Sequence, residues 1–181
     1  MHHDAAKIEL LALDVDGVMT DGSIMLDDQG VEIKRFNSRD GFGIILWQRM
    51  GFRTAIITGR VGEVVKARAR ELKIAHVIQG TADKSASLDD LCRAAEVAPE
   101  RVAYIGDDWP DLPVLRRVGF PVAVADALPA VRAAAAMVTK APGGHGAVRE
   151  VVDHLLEARG LMARALALYD QSHGPEPTPP T

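Results

Sequence analysis

IELLALDVDGVMTDG, residues 8–22, runs from an apolar segment of strand length directly into two aspartates, Asp14 and Asp16, one residue apart. A continuous apolar run of this kind suits a strand buried on both faces of a parallel sheet. Carboxylates so close repel each other and resist desolvation, so the pair is costly unless positive charge sits beside it. The fold and the chemistry are therefore both posed at the end of one strand.

Outward from that stretch, strand and helix patterns alternate. TAIIT (54–58), AHVIQ (75–79), RVAYIGDD (101–108) and FPVAVAD (120–126) read as further strands. Helices are expected over 41–50, 61–72, 84–97, from after 108 to Val118, over 128–136 and over 146–159. Alternation of this kind implies an α/β protein: a Rossmann-like, doubly wound parallel sheet with helices on both faces. SIML (23–26) and VEIKRF (31–36) flank DDQG and read as a small β-hairpin insertion over about residues 22–37. Residues 1–160 form the expected domain, and 161–181 a helical extension ending in QSHGPEPTPPT, a Pro-rich tail expected to be disordered.

Composition narrows the function. With 181 residues, a net charge of −4, 48% hydrophobic and 25% charged residues, the chain suits one soluble domain and offers no nucleic-acid or membrane surface. Its single cysteine, Cys92, has no disulfide partner and reads as a small core residue. No stretch reaches bilayer length and MHHDAAKIEL lacks a signal-peptide core, so a cytoplasmic location is expected. His2 and His3 are weak metal candidates at a frayed terminus.

Open parallel sheets bind ligands at the carboxyl ends of their strands. Asp14 ends the first core strand, Thr58 the second, and Asp107 a later one. Asp14 can attack phosphorus as a nucleophile, while Asp16 protonates the leaving oxygen and then activates water. Mg²⁺ suits such a site, because it takes one or two carboxylates together with phosphate oxygens, and Asp107 in GDDWPD is the further ligand. Thr58 in IITGR can hold a phosphate oxygen, and Lys84 in GTADKS supplies positive charge. Each residue has a plainer reading: helix N-capping for Asp14, Thr58, Asp107, Asp108 and Asp111, and a solvated helix start for Lys84. Their ordered placement at strand ends favours chemistry. A calcium loop fails at Val18 and Met19, a Walker A loop fails at Asp83, and GFG (41–43) lacks the third glycine of a dinucleotide loop.

DVDGVMT, IITGR, GTADK and GDDWPD together resemble the four motifs of the haloacid dehalogenase-like phosphohydrolases, over about residues 7–158. The resemblance implies Asp14 as nucleophile, Asp16 as acid/base, and Mg²⁺ held by Asp14, the Asp16 backbone carbonyl and Asp107. Only a hairpin and one helix separate Asp14 from Thr58, and one helix and one strand separate Thr58 from Lys84, which leaves no room for a cap domain. Capless relatives oligomerise, commonly as homotetramers, and a neighbour's hairpin closes each site. Ile24, Met25 and Leu26 form an apolar run suited to that role, against the alternative of a solvent-facing excursion.

Within the capless group the chain is similar to the 3-deoxy-D-manno-octulosonate 8-phosphate phosphatase family at FNSRDGFGI, AIITGR and GGHGAVREV. The likeness implies a phosphorylated acidic sugar as substrate, with Asp16, Asn37, Ser38, Arg39, Asp40, Gly41, Arg60, Arg68 and Lys84 lining its site. Arginine grips such polyanions bidentately, although Arg68 also fits a solvated face and Arg39 an ion pair with Asp40. Ile45 stands where that family carries a basic residue, and His145 where arginine occurs. Nonulosonate 9-phosphate phosphatases, a non-catalytic oligomeric module and transfer to a second sugar stay open as alternatives.

Overall fold

The computed structural model describes residues 3–170, so His2 and the Pro-rich tail fall outside the described residues. Strand β1 (Leu10–Leu13) is wholly buried, as its apolar run requires, and is flanked by β4 (Arg53–Thr58) and β6 (Val102–Gly106). The sheet continues with β5 (His76–Gln79) on one side and with β7 (Phe120–Ala123) and β8 (Met137–Val138) on the other. All six strands pair in parallel, in the order β5-β4-β1-β6-β7-β8.

Right-handed crossovers set the layers. Helices α1 (Ser38–Arg49) and α2 (Glu63–Glu71) follow strands that wind one way from β1. Helices α3 (Lys84–Ala94), α4 (Leu112–Leu115) and α5 (Pro129–Ala134) belong to the return and lie on the opposite face. Helix α6 (Ala147–Ala158) packs its buried stripe, Val148, Val151, Val152 and Leu155, against α1, and α7 (Met162–Asp170) packs on α6. The winding reverses between β1 and β6, which places a ligand crevice at their carboxyl ends.

Local chemistry explains where elements depart from expectation. Helix α1 begins three residues earlier, because the Asn37 side chain caps it by accepting from the amides of Arg39 (2.8 Å) and Asp40 (3.4 Å). Helix α3 stops at Ala94, two residues before Glu96 adopts a positive φ of 50°. The stretch before Val118 is a 3-10 turn (Trp109–Asp111) followed by only four α-helical residues, with Pro110 and Pro113 unable to donate backbone bonds. Strand β8, unanticipated in the sequence, is two residues long and sits at the sheet edge.

The insertion is a separate antiparallel pair, β2 (Met25–Leu26) with β3 (Glu32–Ile33), turned by Asp27, whose carboxylate accepts from Gln29 N (2.9 Å) and Val31 N (2.8 Å). Among the described residues no helix is long and apolar enough to cross a membrane.

Candidate active site

The crevice at the centre of the sheet is a cavity of about 400 Å³ lined by Asp14, Asp16, Thr58, Arg60, Lys84, Asp107 and Asp111. Two glycines let its walls approach. Gly17 has φ +85°, and a Cβ there would lie 2.1 Å from Asp107 Oδ2, so the turn after β1 meets the turn after β6 only without a side chain. Gly143 packs so closely that a Cβ would stand 1.8 Å from Gly17 O, and Gly144 N donates to Val18 O at 2.9 Å. The glycine-rich loop before α6 thus buttresses the DVDG turn from behind.

The floor of the cavity is a buried charge cluster. Lys84, 5% exposed, places Nζ 3.0 Å from Asp14 Oδ2 and 2.7 Å from Asp111 Oδ1. Asp111 Oδ1 also accepts from Tyr104 OH at 2.6 Å, while Oδ2 accepts from the amides of Asp107 (2.9 Å) and Asp108 (3.3 Å). Both oxygens of Asp111 are therefore committed. By contrast, Asp14 Oδ1 and Asp107 Oδ1 are buried with no hydrogen-bond partner. Oxygens of Asp14, Asp107 and Asp111 come within 4.8 Å of one another.

Burial is the largest influence on these groups. It pushes the Asp14 carboxyl up to about 6, reinforced by the charge of Asp111 and opposed by Lys84. It pushes Asp107 up to about 7, with Asp111 and Asp14 adding to the rise. Burial presses Lys84 down, yet the charges of Asp14 and Asp111 outweigh it and hold the ammonium above its ordinary range. One buried ammonium thus faces three carboxylates. Two buried, unpartnered carboxylate oxygens at close range make a donor set that suits a hard divalent cation such as Mg²⁺.

A second group of charges closes the cavity from the hairpin side. Lys34 Nζ contacts Asp16 Oδ1 and lies 3.1 Å from Glu32 Oε1, while Arg60 Nη2 donates to Glu32 Oε1 at 2.7 Å. Arg60 Nε is 3.7 Å from Asp16 Oδ2. Thr58 is buried at the end of β4 with its hydroxyl 3.4 Å from Arg60 N.

Of the residues singled out in the sequence, Asp14, Asp16, Thr58, Arg60, Lys84 and Asp107 meet in this cavity. The 37–41 stretch and Arg68 do not line it. Asn37 caps α1, and its Nδ2 donates to Gly144 O at 3.3 Å. Ser38 and Arg39 are exposed, and Arg39 instead lines a groove with His145 and Arg149. Asp40 is buried and caps α6, accepting from Gly146 N (3.1 Å) and Arg149 N (2.9 Å) rather than pairing with Arg39. Gly41 leaves room for Arg68, whose Nη2 would be 2.3 Å from a Cβ there. Arg68 lies 5.5 Å over the Phe36 ring and bonds Glu71 at 2.8 Å. Ile45 packs against the core. Asp111, Tyr104 and Lys34 were not singled out as site residues. The only signal for Asp111 was its place in GDDWPD, which reads equally well as a cap.

Comparison with known proteins identifies relatives of the whole domain. A family model described as haloacid dehalogenase-like hydrolase matches residues 47–151. The 3-deoxy-D-manno-octulosonate 8-phosphate phosphatase of Escherichia coli (strain K12) is 48% identical over 161 residues, covering 89% of this chain and 86% of that protein. The crystal structure of the Yersinia pestis phosphatase of the same description superposes with a TM-score of 0.86 at 48% identity, covering 88% of this chain and 86% of that one. The Moraxella catarrhalis phosphatase, solved in complex with magnesium, phosphate and KDO, gives a TM-score of 0.89 at 40% identity, covering 92% and 95%.

Proposed function

The chain belongs to the haloacid dehalogenase-like hydrolases, and on that premise we propose that it is a Mg²⁺-dependent phosphatase hydrolysing 3-deoxy-D-manno-octulosonate 8-phosphate to 3-deoxy-D-manno-octulosonate and phosphate. The observation that carries the proposal is the convergence of Asp14 and Asp107, each with a buried unpartnered oxygen, on one cavity with Lys84 and Asp16. Identity near half over most of both chains supports the substrate class.

Asp14 and Asp107, with the backbone carbonyl of Asp16, are the groups that would hold the metal. When bound, Mg²⁺ supplies positive charge that keeps the carboxylates ionised and offsets charge on the transferred phosphoryl group. Asp14 attacks phosphorus, forming an O–P bond as the bond from phosphorus to the sugar oxygen breaks. The Asp16 carboxyl gives its proton to that departing oxygen. A water then attacks the aspartyl-phosphate, passes its proton to the Asp16 carboxylate, and the O–P bond to Asp14 breaks, releasing phosphate and restoring both residues. Lys84 orients Asp14 through Oδ2 and neutralises the phosphoryl oxygens. Asp111 acts through Lys84, holding its ammonium from the far side. Thr58 and Arg60 offer a hydroxyl and a guanidinium to the phosphoryl group.

The closure of the site belongs to the same proposal. Met25, Val31 and Ile33 share an exposed apolar face on the hairpin, which supports a homotetramer in which the hairpin covers a neighbour's site. In that assembly Arg39 would serve the sugar at a subunit boundary. A cytoplasmic location follows from the substrate, a polyanion that does not cross a bilayer unaided.

The deciding experiment measures kcat/KM with Mg²⁺ for a panel of phosphorylated eight- and nine-carbon acidic keto-sugars. The eight-carbon substrate is expected to lead by at least about tenfold, a difference within reach of pocket contacts. A nine-carbon sugar ahead of it moves the assignment to the nonulosonate phosphatases, and no phosphate release from any of them removes the catalytic reading.

A further inference from the structure

We propose that Lys34, carried by the hairpin, is the positioning residue that holds the Asp16 carboxyl in place for proton donation, so that the acid step depends on a seated hairpin. The inference rests on the reading of Asp16 as the acid/base.

Residues 31–36 alternate strictly, as an extended chain must. Val31, Ile33 and Arg35 are exposed, whereas Glu32, Lys34 and Phe36 turn inward. Two of the inward side chains land on the cavity wall, Glu32 on Arg60 and Lys34 on Asp16, while Phe36 lies beneath Arg68 outside the cavity. The register of one short strand therefore couples the insertion to the turns after β1 and β4.

Lys34 is the telling member. Its side chain is 1% exposed, so no substrate group reaches the ammonium, and its role is not binding. Burying an ammonium is expensive unless it is paired, and here both partners are carboxylates, Asp16 Oδ1 and Glu32 Oε1. Asp16 accepts a hydrogen bond through one oxygen only. Its Oδ2 is buried without a hydrogen bond, with Arg60 Nε 3.7 Å away. One oxygen is tethered and the other is left for the reaction. Without Lys34, the two side-chain torsions of Asp16 are free to swing the carboxyl onto Arg60, away from the leaving oxygen.

Leaving-group dependence separates positioning of an acid from general support of the fold. A sugar alkoxide departs from phosphorus only if it is protonated, whereas p-nitrophenolate leaves as a stable anion. The value of kcat/KM reports the steps through first phosphoryl transfer, where that proton is needed. In Lys34→Met, which keeps the volume without the charge, the ratio of kcat/KM for the sugar phosphate to that for p-nitrophenyl phosphate is expected to fall at least about tenfold. Lys34→Arg is expected to recover most of the ratio, because it restores a positive donor to Asp16, and the ratio does not depend on how much of the protein is folded. A ratio within about twofold of the parent in Lys34→Met overturns the proposal, whatever the absolute rates. Asp16→Asn is measured alongside. If it lowers the ratio while Lys34→Met does not, the positioning role alone fails; if Asp16→Asn leaves the ratio unchanged, the acid/base reading falls and this inference with it.

Discussion

The two halves of the cavity are built differently. The floor rises from strand ends at the centre of a six-stranded sheet, and its charges are buried and cross-braced: Lys84 between Asp14 and Asp111, Asp111 further fixed by Tyr104 and two amides. The roof is a two-stranded hairpin outside the main sheet, held down by Glu32, Lys34 and Phe36 and leaving Ile33 53% exposed on its back. The floor contributes both reactivity and stability, because removing any partner strands a charge in a low-dielectric interior. The roof contributes little to the stability of one chain and is free to be set by what lies over it.

The contrast predicts effects of very different size. Asp14→Asn on the floor removes the proposed nucleophile, and phosphate release is expected to drop at least about 10³-fold while the cooperative melt is kept. Turnover near the parent rate would show that the centre of the sheet is not where the chemistry occurs. Asp111→Ala leaves Tyr104 and two amides without their acceptor and Lys84 with Asp14 alone. We expect a loss of about 3–5 kcal/mol in chemical denaturation together with a fall in kcat. A loss below about 1 kcal/mol would mean that the floor is no more braced than the roof.

Metal and pH address the floor alone. In the metal-free protein Asp14 and Asp107 bind protons up to about 6 and about 7, above the ordinary carboxylate range. The folded chain thus holds protons there that the unfolded chain has already lost. Stability from these groups is present at low pH and is lost as pH rises through those values. Mg²⁺ binds the deprotonated form, so its addition is expected to raise Tm little near pH 5 and strongly near pH 8. A metal-induced shift of equal size at both pH values would remove Asp14 and Asp107 as the ligands.

The smallest expected effect on stability belongs to the roof. Ile33→Thr, on the outward face of the hairpin, should change the stability of the single chain by no more than about 0.5 kcal/mol. It should nonetheless weaken self-association in sedimentation experiments and raise KM. An unaltered assembly would detach the hairpin's apolar back from the subunit contact.

How legible a residue was in the sequence follows the same division. Asp14, Thr58 and Asp107 could be found because a parallel sheet collects its ligands at strand ends, and each follows an unmistakable apolar run. Asp111 was hidden inside a capping pattern. It reaches Lys84 because Gly106 has no side chain, a Cβ there lying 2.6 Å from Asp111 Cβ, and no local pattern records that proximity. Asp40, placed at the sugar site by resemblance alone, has a structural partner that no local pattern records: its carboxylate satisfies amides at the start of α6, more than a hundred residues away in sequence. Strand β8 escaped because two residues carry no periodicity.

The sequence determined the parallel α/β architecture, the candidate site's position at the strand ends and the acidic residues gathered there, because these depend on apolar runs and on residue types at their ends. Only the tertiary structure decided which of the acidic residues keep an oxygen free and which are consumed as braces or caps, and which lysine of the hairpin faces Asp16. Those outcomes depend on distances between segments remote in the chain. Burial then makes a difference of a few ångströms the difference between a satisfied carboxylate and an unpartnered one.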